Sequence, residues 1–283
     1  MHMKNCSIVV LALMVSLGSQ MGIADDLNTV PVAAPIDTDS TGRAGDIATH
    51  SVIRLICVDK NTVGTGFLHK SGNIITADHV VRDCKNVMMI LPDGTRGSVT
   101  TIATDQDHDL AVAKPSIAIS ASPLSLAAGT DFKVGTQVST WGFPAGYSGL
   151  VPMLSVGYLA GIDAYQVRPG TVIRKWIVNA AFNGGNSGGP LIQIETGEVF
   201  GIVSSKLAPI SQTAASILQA LENNKSGFQY TATAPDGTKT TFSEGQVVGM
   251  VLNELRNQVQ FVIGQAVLLD DLKTFLKSNK IDP

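Results

Sequence analysis

A serine within a cluster of glycines is the part of the chain best suited to chemistry. Ser187 stands in Asn183–Leu191 (NGGNSGGPL), between the apolar run Trp176–Val178 and a strand-like run over 191–194. Glycine adopts backbone angles that side chains forbid, so this stretch can turn tightly and point several amide N–H groups at one spot. Such amides would form an anion-stabilising pocket beside the serine hydroxyl. The stretch therefore indicates a nucleophilic serine; the alternative is a glycine-rich hairpin loop without chemistry.

A serine hydroxyl is a poor nucleophile at neutral pH and needs a positioned base, usually a histidine that a carboxylate orients. Among the five histidines, His79 is the best candidate, because it follows an apolar strand-like run that can bury an imidazole and fix its tautomer. A packed histidine without chemistry is the alternative. The other four are His2 in the N-terminal apolar segment, His50 beside a linker, His69 at a turn and His108 in a charged loop with Asp107 and Asp109.

The order of these residues along the chain excludes rival chemistries. Gly185-x-Ser187-x-Gly189 also fits the nucleophile elbow of α/β-hydrolases, but there the histidine follows the serine, and no histidine follows Ser187. Cys57 and Cys84 are possible nucleophiles in principle, yet neither lies in a glycine-rich turn. Neither an HExxH motif nor a cysteine cluster indicates a metal, so we expect no metal and no cofactor.

Composition describes a globular chain with many turns. The 283 residues are 44% hydrophobic, which suffices for one large or two smaller domains. A net charge of -3 argues against nucleic acid as a partner, because a general binder needs a basic surface. The 28 glycines suit an all-β protein better than a helical bundle.

The N-terminus has the pattern of an export signal over residues 1–24. Lys4 precedes the apolar run Ile8–Leu17, and Gly22 and Ala24 are small residues at the positions that define cleavage. The run is too short to span a bilayer, so we expect no stable membrane anchor after signal removal and a periplasmic or secreted protein. Residues 25–48 lack periodicity, which predicts a flexible leader.

Two cysteines remain after the signal, Cys57 and Cys84. In an exported protein they more often pair than stay free, so we expect a disulfide. The alternative is two buried thiols.

Short strand-like runs separated by turns follow one another over residues 51–204, which is typical of a sandwich or barrel. The pattern changes at about 206–256. The elements expected there are a helix over 212–223, a hairpin over 228–242 and a helix with a capping box made by Ser243 and Gln246. We then expect a strand over 259–263 and an amphipathic helix over 268–276.

Four motifs stand in a specific order: Gly64–Phe67 (GTGF), Thr76–Val81 (TADHVV), Asp109–Val112 (DLAV) and Asn183–Leu191. In this order the chain resembles trypsin-like serine peptidases, and it is closest to the HtrA-like branch. The order histidine, aspartate, serine is also that of chymotrypsin-type enzymes. The resemblance covers roughly residues 52–204.

The resemblance implies an all-β fold of two antiparallel Greek-key β-barrels, as in chymotrypsin and trypsin, with the site in the cleft between them. The N-terminal barrel would occupy residues 49–127. The C-terminal barrel would occupy 128–283, with a partly helical insertion at about 206–256 and a terminal helix. The insertion would act as a lid over the site or be a surface excursion without a role.

The resemblance also implies the role of each site residue. Ser187 would attack the scissile carbonyl, while His79 would take its proton and return it to the leaving amine. Asp109 would hold His79 and stabilise the imidazolium. The backbone N–H groups of Gly185 and Ser187 would form the oxyanion hole. Gly184 stands where that branch commonly has proline, which implies a looser oxyanion loop.

Four further residues are expected to bind substrate by the same resemblance: Ala181, Phe182, Val203 and Ser204. Ala181 and Phe182 would border the pocket for the P1 side chain, and no acidic residue lies there. We therefore expect small or aliphatic P1 residues rather than lysine or arginine.

These inferences predict an exported serine endopeptidase that hydrolyses polypeptides through an acyl-enzyme. Members of the HtrA-like branch usually carry a PDZ domain after the protease, and we expect none here, because the sequence ends with the helix that should close the protease. One alternative is a catalytically silent binding or chaperone-like module with the same fold. Another is a processing protease that removes its own leader. The natural substrate and the oligomeric state stay open.

Overall fold

The computed structural model describes residues 42–129, 131–206, 212–233, 237–258 and 263–283. The predicted signal peptide, and the predicted leader as far as residue 41, lie outside these ranges. Within the described ranges, no helix is both long and apolar enough to cross a bilayer. The chain divides into two compact units: one contains two β-barrels and the C-terminal helix, and the other comes from the segment between residues 209 and 259.

A helix, α1 (Gly42–Ser51), precedes the first strand. Its Ala48 is fully buried in a core cluster, and Ile47 packs against the same cluster. The expectation of a flexible leader is therefore wrong for residues 42–48, because these apolar side chains gain more by packing than the segment loses in chain entropy.

Six strands form the first barrel: β1 (Val52–Cys57), β2 (Thr62–Leu68), β3 (Ile74–Thr76), β4 (Val87–Ile90), β5 (Arg96–Asp105) and β6 (Leu110–Pro115). They close in the order β1-β2-β3-β6-β5-β4, with antiparallel neighbours throughout. Every residue of β1 is buried. Alternate residues of a strand face opposite sides, so Ile53 and Leu55 pack in the core that contains Met89, while Val52 packs in the core that contains Phe143.

A short helix, α2 (Asp78–Val81), follows β3 directly. Cys57 at the end of β1 and Cys84 beyond α2 form a disulfide, with sulfur atoms 2.10 Å apart and Cα atoms 5.7 Å apart. The bond joins the end of β1 to the segment that leads into β4.

The second barrel begins with five strands: β7 (Gln137–Gly142), β8 (Met153–Arg168), β9 (Thr171–Val178), β10 (Pro190–Gln193) and β11 (Val199–Lys206). The hairpin of β8 and β9 is the longest in the barrel, since β8 alone has 16 residues. Its core includes the rings of Trp176 and Phe200, which meet edge to face with centroids 6.4 Å apart.

The segment that follows is the second compact unit. It contains α3 (Gln212–Asn223), the hairpin β12 (Gln229–Thr233) and β13 (Lys239–Ser243), and α4 (Glu244–Gln258). The capping box is present as predicted: Gln246 Oε1 accepts from the Ser243 amide at 2.9 Å, and the Gln246 amide donates to Ser243 Oγ at 3.2 Å. Whether this segment acts as a lid stays a prediction.

The chain then returns to the second barrel with β14 (Gly264–Leu268) and ends in α5 (Leu269–Ser278). The barrel closes in the order β10-β11-β14-β9-β8-β7. Of the predicted strand over 259–263, residues 259–262 lie outside the described ranges. Ile263 is not in a strand, and the strand that pairs with β9 and β11 starts at Gly264. Helix α5 buries Leu272, Phe275 and Leu276, so the prediction of a terminal amphipathic helix holds.

The architecture confirms the predicted fold class, an all-β protein of two antiparallel barrels with a C-terminal helix and a partly helical insertion. Both barrels belong to one compact unit. The elements that matter for the site are α2 and the β5–β6 turn in the first barrel, and the β9–β10 connection with β11 in the second.

Candidate active site

An imidazole and a carboxylate from the first barrel are held together at the site. His79 lies in α2, and Asp109 ends the turn between β5 and β6. His79 Nδ1 lies 2.9 Å from both carboxylate oxygens of Asp109, and the His79 amide donates to Asp109 Oδ1 at 3.0 Å. An ionised carboxylate only accepts, so Nδ1 carries the proton and Nε2 is left free to act as a base.

The environment keeps Asp109 ionised. Its side chain is 14% exposed, whereas that of His79 is 44% exposed and opens to the cleft. Burial alone would raise the pKa of Asp109. The hydrogen bond and charge of His79, the Ser204 hydroxyl and the His79 amide outweigh burial, so the pKa of Asp109 lies below its ordinary value. Asp109 also has φ 62°, a left-handed conformation that these hydrogen bonds must compensate.

The glycines around Ser187 are required by close approach as well as by backbone angle. Gly185 has φ 95°, and a Cβ there would lie 2.2 Å from the Phe143 carbonyl oxygen. Gly188 has φ 86°, and a Cβ there would lie 2.1 Å from the Thr65 carbonyl oxygen. Both positions therefore demand glycine. Gly184, by contrast, has open space around it.

Thr65 on β2 fastens this loop to the first barrel. Its hydroxyl donates to the Gly185 carbonyl at 2.6 Å and accepts from the Phe143 amide at 3.1 Å. Its own amide donates to the Ser187 carbonyl at 2.8 Å. Thr65 is fully buried, so these bonds have no competition from water.

Ser187, His79 and Asp109 line one cleft of about 590 Å³. The Ser187 hydroxyl donates to the Ser204 carbonyl at 3.0 Å, so in this structure it is turned toward β11. The amides of Gly185 and Ser187 have no backbone acceptor among the described residues. Unpaired amides beside a serine hydroxyl and a base are the elements that acyl transfer requires.

The four predicted substrate-binding residues have different surroundings. Ser204 lines the cleft, and its hydroxyl donates to Asp109 Oδ2 at 2.6 Å. Phe182 and Val203 are each 1% exposed and belong to the barrel core. The Phe182 ring lies so close to Gly264 that a Cβ there would be 2.1 Å from it. Ala181 is partly buried, and its carbonyl accepts from Ser155 Oγ at 3.2 Å.

The remaining histidines that the structure describes lie elsewhere. His69 is buried beside Ser71, and burial lowers its pKa. His108 binds Asp105 at 2.8 Å, and His50 is exposed. None of these three lines the cleft of His79.

Sequence reasoning missed three residues that shape the site. Thr65 belongs to a recognised motif, but its bonds cross to the other barrel. Arg54 interrupts the apolar strand β1; it lies over the Phe143 ring at 4.6 Å and donates to the Tyr147 carbonyl at 3.0 Å, next to the oxyanion loop. Lys175 interrupts the apolar strand β9 and donates to Ser204 Oγ at 2.9 Å. A charge inside an apolar strand was the available signal for the last two.

Comparisons with known proteins agree with this fold. Residues 64–202 match the family model of the trypsin-like peptidase domain. The chain is 33% identical over 153 residues to Protease Do-like 1, chloroplastic, of Arabidopsis thaliana; the aligned region covers 52% of this chain and 34% of that protein. It is 33% identical over 148 residues to the probable periplasmic serine endoprotease DegP-like of Halomonas elongata; the aligned region covers 52% of this chain and 30% of that protein. The chain thus matches about a third of the length of these curated relatives.

Among solved structures, the active form of the Rv3671c protease from M. tuberculosis has the same fold, with a TM-score of 0.57 at 18% identity over 90% of this chain and 91% of that chain. Residues 64–202 of the chain are thus similar to the trypsin-like peptidase domain. The resemblance to the HtrA branch, inferred from its motifs, is confirmed.

Proposed function

We propose that this protein is a serine endopeptidase that hydrolyses polypeptides through His79, Asp109 and Ser187. One observation carries the proposal: an imidazole with its Nδ1 on a buried carboxylate shares a cleft with a serine of the glycine loop. That loop has two amides without a backbone acceptor in the described part of the chain. The relatives named serine proteases support the same chemistry.

In the proposed reaction, the Ser187 hydroxyl leaves the Ser204 carbonyl by rotating about χ1 and donates instead to His79 Nε2. Hydrogen bonds of this kind are often long or misaligned in free enzymes and tighten when substrate binds. Ser187 Oγ then attacks the scissile carbonyl while His79 accepts the proton. The Gly185 and Ser187 amides stabilise the oxyanion, at about 3–4 kcal/mol for each donor.

The acyl-enzyme forms when His79 returns its proton to the leaving amine, which departs with the C-terminal part of the substrate. Water then attacks the ester while His79 accepts its proton. The bond between the acyl carbon and Ser187 Oγ breaks, His79 returns the proton to Ser187 Oγ, and the N-terminal part leaves as a carboxylic acid. Throughout, Asp109 keeps the imidazole oriented and offsets the charge of the imidazolium.

The test is Ser187→Ala beside wild type, with Ser278→Ala as a matched control far along the chain in α5. Wild type and Ser278→Ala should cleave a peptide library and react with a fluorophosphonate probe, and Ser187→Ala should do neither. Labelling that survives in Ser187→Ala would refute the assignment of the nucleophile.

The alternative, a silent binding or chaperone-like module, is favoured by the contact between the Ser187 hydroxyl and the Ser204 carbonyl. That contact would persist in a protein that never turns the serine toward the base. An active-site titration separates the two functions, because an enzyme should release close to one equivalent of leaving group per chain.

We also propose that P1 residues are small or aliphatic. The buried Phe182 ring beside Gly264 supports this, since it fills space next to the predicted pocket without adding a negative charge. The same peptide library decides the matter, and cleavage dominated by basic P1 residues would contradict the proposal.

Export is the last part of the proposal. Its support is the disulfide between Cys57 and Cys84 and the periplasmic relatives, because disulfides persist in oxidising compartments. Mass spectrometry of the mature chain should find a first residue near Asp25. A start near residue 48 that disappears in Ser187→Ala would instead indicate self-cleavage.

A further inference from the structure

A lysine stands behind the carboxylate of the proposed catalytic site. Lys175 lies in β9, on the same side of the strand as Ile173, and both side chains line the cleft. Val167 and the ring of Tyr165 on the paired strand β8 form the apolar part of the wall around them. A partly buried ammonium in such a wall is costly unless it has a specific partner.

The partner of Lys175 is the hydroxyl that binds the carboxylate. Lys175 Nζ donates to Ser204 Oγ at 2.9 Å, and Ser204 Oγ donates to Asp109 Oδ2 at 2.6 Å. An ammonium can only donate, so Ser204 must accept from it and turn its own proton toward Asp109. The lysine thereby occupies the acceptor side of the hydroxyl and reinforces its direction toward the carboxylate.

The charges around this chain of hydrogen bonds come from several elements. Asp109 from the β5–β6 turn and His79 from α2 lie on one side, and Lys175 lies on the other. Burial lowers the pKa of Lys175, while the charge of Asp109 raises it and so helps keep the ammonium charged. Two other ion pairs lie near the cleft, Arg82 with Asp78 and Arg168 with Asp107. Asp163 and Tyr165 lie on β8, the strand paired with that of Lys175.

We propose that Lys175 is a positioning residue of the site: it holds the Ser204 hydroxyl on Asp109 and places a positive charge behind the Asp109–His79 pair. This inference rests on the proposed function. With a neutral imidazole, the charges of Lys175 and Asp109 cancel. A protonated imidazole leaves the group with a net positive charge, so the base stays unprotonated at lower pH than it would without the lysine.

The measurement is the pH dependence of the rate of fluorophosphonate labelling, which reports the free enzyme without a choice of substrate. The acid limb is the part of the profile where the rate falls as pH is lowered. In Lys175→Met it should move to higher pH by about 0.7 to 1.5 units, as expected for removing one charge about 8 Å from the imidazole with an effective dielectric constant of about 20 to 40. Lys175→Arg keeps the charge and should keep the wild-type limb.

A neutral donor separates the charge from the hydrogen bond. Lys175→Gln can still donate to Ser204, so it should show the shifted limb of Lys175→Met with a plateau rate closer to wild type. If Lys175 acts on the plateau rate of labelling through Ser204, the effects of Lys175→Met and Ser204→Ala should not be independent. The double variant should then lose less of the plateau rate than the product of the losses in the two single variants.

Lys273 provides a matched control, since it is a lysine that donates to the Ala127 and Ala128 carbonyls in the same barrel unit without touching the site. Lys273→Met should leave the pH profile unchanged. A Lys175→Met or Lys175→Gln profile that overlays wild type would overturn the proposal, and so would an equal shift in Lys273→Met.

Failure of the proposed function would look different, because wild type itself would not be labelled. In that case, NMR titration of the His79 imidazole in wild type and Lys175→Gln gives the same test without activity. The titration midpoint should be higher in the variant, and identical midpoints would refute a role for the lysine.

Discussion

Replacing Thr65 by valine would test how the first barrel supports the loop of Ser187. Valine has nearly the shape of threonine but lacks the hydroxyl that bonds to the Gly185 carbonyl and the Phe143 amide. Because Thr65 is fully buried, water is poorly placed to replace either bond. Each unpaired buried group costs about 1–3 kcal/mol, so the two groups left by Thr65→Val should lower the free energy of unfolding by about 2–6 kcal/mol.

The same substitution should slow the chemistry. Gly185 supplies one of the two proposed oxyanion donors, and its carbonyl would no longer be held by the hydroxyl. Losing one such donor costs about 10²–10³ in rate, and a displaced loop should cost about 10² in the rate of fluorophosphonate labelling.

Thr65→Ser is the matched variant, because it keeps the hydroxyl and loses one methyl group. It should cost about 1 kcal/mol from lost packing and retain most of the labelling rate. Denaturant unfolding and labelling kinetics of both variants measure the difference. If Thr65→Val and Thr65→Ser are equally stable and equally reactive, the hydroxyl does not support the loop.

Two further predictions concern backbone and covalent constraints. Gly188→Ala should lower the free energy of unfolding by more than about 2 kcal/mol, because its Cβ would lie 2.1 Å from the Thr65 carbonyl oxygen. Gly184→Ala has open space and should unfold like wild type. Equal denaturation midpoints for the two variants would show that the loop adapts. Removing the disulfide by Cys57→Ser with Cys84→Ser should cost roughly 3–4 kcal/mol, as expected for a loop of 27 residues, and an unchanged thermal midpoint would contradict this.

The three proposed catalytic residues could be selected from sequence because each stands in a local pattern. The glycines around Ser187 predict a tight turn, and two of them, Gly185 and Gly188, have positive φ and no room for a Cβ. His79 and Asp109 stand in motifs of the same family. The order of the three along the chain excluded the nucleophile elbow of α/β-hydrolases, because no histidine follows Ser187.

The misplaced features have a common cause. Residues 42–48 look irregular in sequence, yet they are helical because Ala48 finds a core to bury in. Ile263 is the last residue of a predicted strand, yet it is not in one, because pairing with β9 and β11 begins at Gly264. In both cases the partner surface decides, and a local window does not contain it.

The amino-acid sequence by itself indicated an all-β fold and the nucleophile loop, because glycine-dependent turns and strand periodicity are local properties of the chain. Its motifs carried the resemblance to trypsin-like peptidases, which implied the two barrels. Only the tertiary structure decided how Ser187 is turned, what Thr65 supports and why Lys175 lies in an apolar strand. Thr65 and Gly185 are 120 positions apart, and Ser204 and Asp109 are 95 apart, so barrel closure alone brings their hydrogen bonds into range.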